Sequence, residues 1–299
     1  MARVTPALTA QRLAPAELQP LLVRLGVRAE DRAALLAHAG ELSAGDLDRI
    51  AGATAALGAR LGQWGMAPEP VFADLADEEG RPRGLLPMMA LLASVPEVRD
   101  YHAGRGIGEQ MSFSGLADLG QQLWVFRKTF GTFGLDTQEW LTCAWGGGLF
   151  WFGRLQLNLL EYQERHVASV HIPQTGPLRP EAVDASFDAA RDFFGAHFGD
   201  LPIEALHCSS WLLDPQLAKV LPATSNMAAF QRRWRLVGEP RESDAATIYF
   251  VFRRRPPPGE DLDWTGLPRE TTLQRAVLEH LDTGGHWYTW TGLIDPPVR

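Results

Sequence analysis

The spacing of hydrophobic positions changes near the middle of the chain. In the first half they recur every three to four residues: Leu18, Leu21, Leu22 and Leu25 share one helical face, and Leu47, Ile50, Thr54, Leu57 and Leu61 share another. Ser43, with Asp46 three residues on, predicts a helix start, since a hydroxyl and a carboxylate at that spacing can satisfy free backbone N–H groups. The helical period continues through residues 85–101 and 116–130, and residues 136–143 add a shorter piece. Breaker-rich connections fall at 64–70 and 78–84. Residues 1–145 read as a helical N-terminal domain, a bundle without internal repeats.

Beyond Gly146-Gly147-Gly148 the period shortens, and residues 146–299 form a second domain. The alternation of Leu155, Leu157 and Leu159 within the aromatic-rich stretch 149–162 predicts a strand or a kinked pair of strands. A strand over 166–172 follows a tight polar turn and should pair antiparallel with it. Next comes a Pro- and Gly-containing loop, then a helix over 180–198 with Pro180 early, Glu181 and Asp184 in the first turn, and a core face of Val183, Phe187, Ala190, Phe194 and Phe198. A strand feeding a helix through such a loop leaves backbone N–H groups at the helix start, where an anionic ligand can sit. The remaining pattern predicts a strand over 204–211, a short helix near 214–221, a helix from Asn226, a strand over 247–254, a helix over 271–282 and a last strand over 286–294. Antiparallel strands, then strand–helix–strand, then mixed elements give an α+β order: an α-helical bundle followed by a mixed α/β domain.

The 299 residues carry a net charge of −8, which divides evenly between the two halves; Arg253–Arg255 is the densest basic run. That balance argues against a nucleic-acid partner. Two cysteines, Cys143 and Cys208, are too few for a disulfide framework or a cysteine-built metal site, and they fit a reducing, cytoplasmic location. Charged residues interrupt the first 25 positions, so no signal peptide is expected. The most apolar run, residues 141–153, ends at Arg154, short of the roughly 20 residues a membrane span needs. Metal-protease, Walker and EF-hand motifs are missing, and no metal is expected. Gly104-Arg-Gly106-Ile-Gly108 lacks the spacing of a dinucleotide loop and reads as a turn.

The element order resembles that of the GNAT superfamily of acyltransferases. The segment Asn226-Met-Ala-Ala229-Phe-Gln-Arg-Arg-Trp234-Arg-Leu-Val-Gly238 is similar to that superfamily's later helix. The phrases HIPQTGPLRPEAVDASFDAARDFF, CSSWLLDPQLAKVLPATSNMAAFQRRW and LPRETTLQRAVLEHL look like those of bacterial two-domain acyltransferase-like proteins, in which a helical N-acyltransferase N-terminal domain precedes a GNAT-like C-terminal domain. The resemblance implies direct, acyl-CoA-dependent transfer of an acyl group to a small-molecule amine. It also implies that the 166–172 and 204–211 strands splay apart around the thioester arm.

On that reading His171 and His207 face the gap as candidate bases, with Ser210 beside them as a donor; each histidine can equally be a hydrogen-bonded core residue. Cys208, next to His207, points to the opposite strand face and is either a covalent acyl carrier or a small buried hydrophobe. Gln174, Thr175 and Gly176 are the candidate pyrophosphate loop, or an ordinary turn. PQTGPLRP lacks the second small residue of the superfamily's loop, and its prolines remove amide donors. Ser225 and Asn226 offer either ligand donors or a helix cap. Arg253–Arg255, ending the expected strand before Pro256-Pro257-Pro258, are either a site for the 3′-phosphate of coenzyme A or a solvated strand end. Two further functions stay open: a catalytically silent ligand- or partner-binding protein, motivated by the altered loop, and transfer from an acyl carrier protein. The ten tryptophans fit either an acyl pocket or core packing.

Overall fold

The structure, a computed structural model, describes residues 4–173, 175–255 and 262–295. The chain divides into two compact units, Met1–Trp151 with Asn158–Glu161, and Phe152–Leu157 with Tyr162–Arg299.

The first unit is built from α1 (Pro6–Arg12), α2 (Pro15–Arg24), α3 (Ala29–Ala39), α4 (Ala44–Ala59), α5 (Leu85–Ala93), α6 (Val95–Gly104), α7 (Glu109–Leu116), α8 (Asp118–Phe130) and α9 (Gln138–Trp145). Its core gathers the predicted faces of α2 and α4 around α5, every residue of which is buried. The Ser43–Asp46 box forms as expected: each side chain accepts a hydrogen bond from the other's backbone N–H. The long helix expected over 85–101 is instead two helices broken at Ser94. Pro96 sits in the first turn of α6 without an N–H to continue the ladder, and the Ser94 hydroxyl folds back on the Ala90 and Leu91 carbonyls. Trp145 is fully buried, and its indole N–H donates to the Leu91 carbonyl at 2.8 Å, so it is a core residue.

The remaining elements are β1 (Leu149–Phe152), β2 (Leu155–Tyr162), β3 (Arg165–His171), α10 (Pro180–His197), β4 (Ala205–Ser210), α11 (Leu217–Val220), α12 (Asn226–Gln231), β5 (Arg235–Glu242), α13 (Asp244–Phe252), α14 (Thr272–Asp282) and β6 (Tyr288–Ile294). The sheet order is β1-β2-β3-β4-β6-β5. Gln163 and Glu164, both at positive φ, make the two-residue turn between β2 and β3; such a pair suits the right-handed twist of a hairpin. β3 and β4 run parallel, whereas β6 is antiparallel to both β4 and β5.

Two segments of this half depart from the pattern. Residues 235–242, for which the pattern predicts no strand, form edge strand β5, where Pro240 is tolerated because an edge strand has N–H groups outside the ladder. Residues 244–252 are helical although their Thr, Ile, Tyr, Phe and Val composition favours a strand. Packing decides: α13 buries Ile248 in a cluster with Val277, Leu278 and Leu281 of α14 and with Trp287. Arg253–Arg255 therefore follow a helix rather than a strand, and Arg255 lies over the Tyr249 ring. Prolines 256–258 lie outside the described residues.

Candidate active site

The β3–β4 register pairs Val167 with Ala205, Ala168 with Leu206 and Ser169 with His207; β3 continues to His171 and β4 to Ser210 beyond that last pair. Strand alternation puts Ser169, His171 and His207 on one face. The other face carries Ala168 and Leu206, which line a cavity under Phe187, Ala190 and Phe194 of α10. The two histidines predicted from sequence are thus brought together, on the side of the sheet away from α10.

His207 is 5% exposed, and its Nδ1 lies 2.9 Å from Ser169 Oγ, while its ring packs against Tyr162 at 4.8 Å between centroids. Burial lowers its pKa from 6.5 to about 4. His171, half-buried at the end of β3, is lowered to about 3, mainly by desolvation and then by repulsion from His207. Both imidazoles are therefore neutral at pH 7.

Ser210 points to the face opposite His207, and its hydroxyl accepts the Leu212 N–H, capping the 3₁₀ turn Trp211–Leu213. Cys208 shares that face; it is fully buried and its thiol is pushed up to about 12, which removes the thiolate a nucleophile needs.

The loop after β3 carries Thr175 and Gly176 exposed, with Gly176 at φ +138°, and the Thr175 N–H donates to the Pro173 carbonyl. Gln174 lies outside the described residues. Ser225 accepts the Ala228 N–H at 3.2 Å as the N-cap of α12; Asn226 is that helix's first residue, and α12 packs on α10. Three residues around these groups were missed in the sequence: Ser169, Tyr162 and Arg154. Ser169 shares the parity of His171, a signal of common facing, but its contact with His207 depends on an inter-strand register that local pattern does not contain. Arg154, in the β1–β2 turn, sends its guanidinium to the loop carbonyls of Pro173 and Pro177. Nothing local marks it.

Among the described residues, Glu242, Asp244 and His286 are grouped closely enough to hold a cation. His286 Nδ1 and Asp244 Oδ2 already bond each other at 2.7 Å, and the other Asp244 oxygen accepts the Trp287 N–H, so the carboxylate serves as a structural anchor. No helix among the described residues is long and apolar enough to cross a membrane.

Residues 16–147 match the N-acyltransferase N-terminal domain family, and residues 149–294 match the GNAT-like C-terminal domain family. No curated protein matches the chain. Among solved structures, an acyltransferase in complex with decanoyl-CoA is 31% identical, with a TM-score of 0.80 over 95% of this chain and 89% of that one. A variant acyltransferase in complex with octanoyl-CoA is 32% identical at a TM-score of 0.81, with the same coverage. An acyltransferase bound to decanoyl-CoA and teicoplanin is 31% identical at a TM-score of 0.80, again over 95% and 89%. The chain belongs to this acyltransferase family, in which an N-acyltransferase N-terminal domain precedes a GNAT-like C-terminal domain.

Proposed function

We propose that the protein transfers an acyl chain from coenzyme A directly to the amine of a small-molecule acceptor, with His207 as the base. The observation that carries this reading is the buried Ser169–His207 pair at the last register position between β3 and β4. The related acyltransferases hold decanoyl-CoA or octanoyl-CoA, which supports a donor of medium chain length here. One of them also holds teicoplanin, which supports an amine-bearing small molecule as acceptor.

A His207 Nδ1–H donated to Ser169 Oγ leaves the Nε2 lone pair for the incoming amine. Burial keeps the ring neutral, and repulsion between His171 and His207 disfavours charging both at once. The amine nitrogen bonds to the thioester carbonyl carbon, and only then is its N–H acidic enough to pass to a base of low pKa. The carbon–sulfur bond breaks as the tetrahedral adduct collapses, and the sulfur leaves as the CoA thiol on taking up a proton. Cys208 takes no part, so no covalent enzyme intermediate forms. Thr175 and Gly176, with Gln174 between Pro173 and Thr175 in sequence, border the pyrophosphate. Ser225 and Asn226 serve first as the start of α12, and Ser210 as a turn cap.

The test is product mass after incubation with decanoyl-CoA and an amine-bearing acceptor of the teicoplanin kind. The expected outcome is an amide of the acceptor and one free thiol per turnover. His207→Ala should lower kcat by about 10²- to 10⁴-fold with an unchanged circular dichroism spectrum, and Ser169→Ala by less. Wild-type rates in both His171→Ala and His207→Ala would remove the histidine mechanism. Binding without product would favour the silent ligand-binding reading, and product only from an acyl-loaded carrier protein would replace the donor.

A further inference from the structure

The loop after β3 is poor in the backbone donors that usually hold a diphosphate. Pro173, Pro177 and Pro180 have no N–H, and that of Thr175 is engaged by the Pro173 carbonyl, which leaves Gly176, Leu178 and Arg179 as the backbone donors among the described residues of the loop. Into this loop the β1–β2 turn inserts Arg154. Its Nη1 donates to the Pro173 carbonyl at 2.9 Å and its Nε to the Pro177 carbonyl at 3.2 Å, so one guanidinium bridges both sides of the bend. The turn itself is fixed to α10, because the Arg154 backbone N–H donates to Ser186 Oγ, which in turn donates to the Ala182 carbonyl.

Charge distinguishes Arg154 from the other arginine that reaches the start of α10. Arg233, which follows α12, pairs with Asp184 and is neutralised there. Among the described residues no carboxylate pairs with Arg154, although the protein as a whole is acidic. Burial of this guanidinium disfavours its charged form, which nonetheless persists because arginine is so basic. A half-buried cation with only neutral carbonyl partners is electrostatically incomplete. A guanidinium has five N–H donors, so about three remain beyond the two carbonyl bonds. They are fixed in direction by those bonds, which removes most of the ordering a free arginine side chain would need on binding.

We infer that Arg154 binds the diphosphate of the acyl-CoA at the loop after β3, replacing the amide donors that Pro173, Pro177 and Pro180 remove. This rests on the acyl-CoA reading above. It accounts for a loop that departs from its superfamily's pattern in a chain that is otherwise close to acyl-CoA-binding structures.

The experiment compares decanoyl-CoA with S-decanoyl-pantetheine, which has the same thioester but no diphosphate, in wild type and Arg154→Ala. The expected result is a drop in kcat/KM of about ten- to a hundredfold on decanoyl-CoA, carried by KM. On S-decanoyl-pantetheine the change should stay within about twofold. Arg154→Lys keeps the charge but loses the fork, so it should fall between the two on decanoyl-CoA. An equal loss on both donors in Arg154→Ala would assign Arg154 a purely structural role and overturn the inference, as would no loss on either. Should Arg154→Ala fail to fold, the same comparison in Arg154→Lys decides between these outcomes. Wild-type protein that neither binds nor uses decanoyl-CoA would sink the acyl-CoA reading and this inference together. Wild-type activity with no donor-selective loss in the variants would sink the inference alone.

Discussion

A methyl group on Gly147 would lie 2.6 Å from the Tyr101 ring, and the backbone there sits at φ +82°. Its carbonyl accepts a 3.2 Å hydrogen bond from His102 Nε2, so His102 Nδ1 is left to accept from Ser112 Oγ at 2.8 Å. Gly147→Ala therefore combines an unfavourable backbone region with a clash against a ring that also packs on His102. The expected cost is about 2–4 kcal/mol, read as a lower urea midpoint with an unchanged m-value. Gly176→Ala is the control: it also has positive φ, but nothing lies within 4 Å of the added carbon, so only the backbone cost of about 1–3 kcal/mol applies, without the clash. Sequence marked Gly146–Gly148 as a change in composition. It did not say that the reason was close approach, since Tyr101 comes from a distant helix. Hydroxyl groups follow the same logic. Ser43 and Ser225 were readable as caps because cap and N–H are three residues apart, whereas Ser169 needed a neighbouring strand to have a meaning.

The start of α4 shows how an element draws on both local and distant residues. Ser43 and Asp46 satisfy each other's backbone N–H groups, and Arg81 then clamps Asp46 with two parallel bonds of 2.9 Å. Asp46 is 2% exposed, and the Arg81 guanidinium holds its carboxyl well below the usual carboxylate range. Ser43→Ala should cost about 1 kcal/mol. Asp46→Ala should cost about 2 kcal/mol, because it removes the capping partner and also the buried acceptor of Arg81 and Arg49, leaving both with only the more exposed Glu78. Equal effects of the two substitutions on thermal unfolding would refute this ordering. The capping pair was legible because its spacing is local; Arg81 was not. The same distinction explains residues 235–252. Composition alone marks no strand over 235–242 and favours one over 247–254, while the edge position beside β6 and the contact with α14 impose the reverse. Elements whose period matches their burial, such as α2, α4, α10 and β4, are legible in the sequence.

Across the whole molecule, three histidines share one electrostatic condition. His102 in the first unit, and His171 and His207 in the second, are all lowered from 6.5, to about 4, 3 and 4, with burial as the first cause in each. For such a group the folded state resists the proton that the unfolded chain accepts. Stability is complete above pH 6.5 and is lost as the pH falls toward 4, since the unfolded state binds more protons throughout that window. At pH 5 each imidazole accounts for about 2 kcal/mol of lost stability relative to pH 7.5. His286 runs the other way: the hydrogen bond its ring N–H donates to Asp244 raises its pKa, so its contribution is present below 6.5 and lost as the pH rises; it is exposed and solvent-screened, so its effect is small. Asp46, lowered from 3.8, acts only at still lower pH and does not overlap the histidine window. Urea titrations from pH 7.5 down to 4.5 should therefore show a steep loss of stability that starts near pH 6.5, well before carboxylates titrate. His102→Gln and His207→Gln should each lower stability at pH 7.5 but flatten its pH dependence by about one proton, in the first and second unit respectively. A stability profile flat from pH 7.5 to 5 in the wild type would mean that these imidazoles are hydrated in solution. It would also remove the physical ground for treating His207 as a neutral base held ready for an incoming amine.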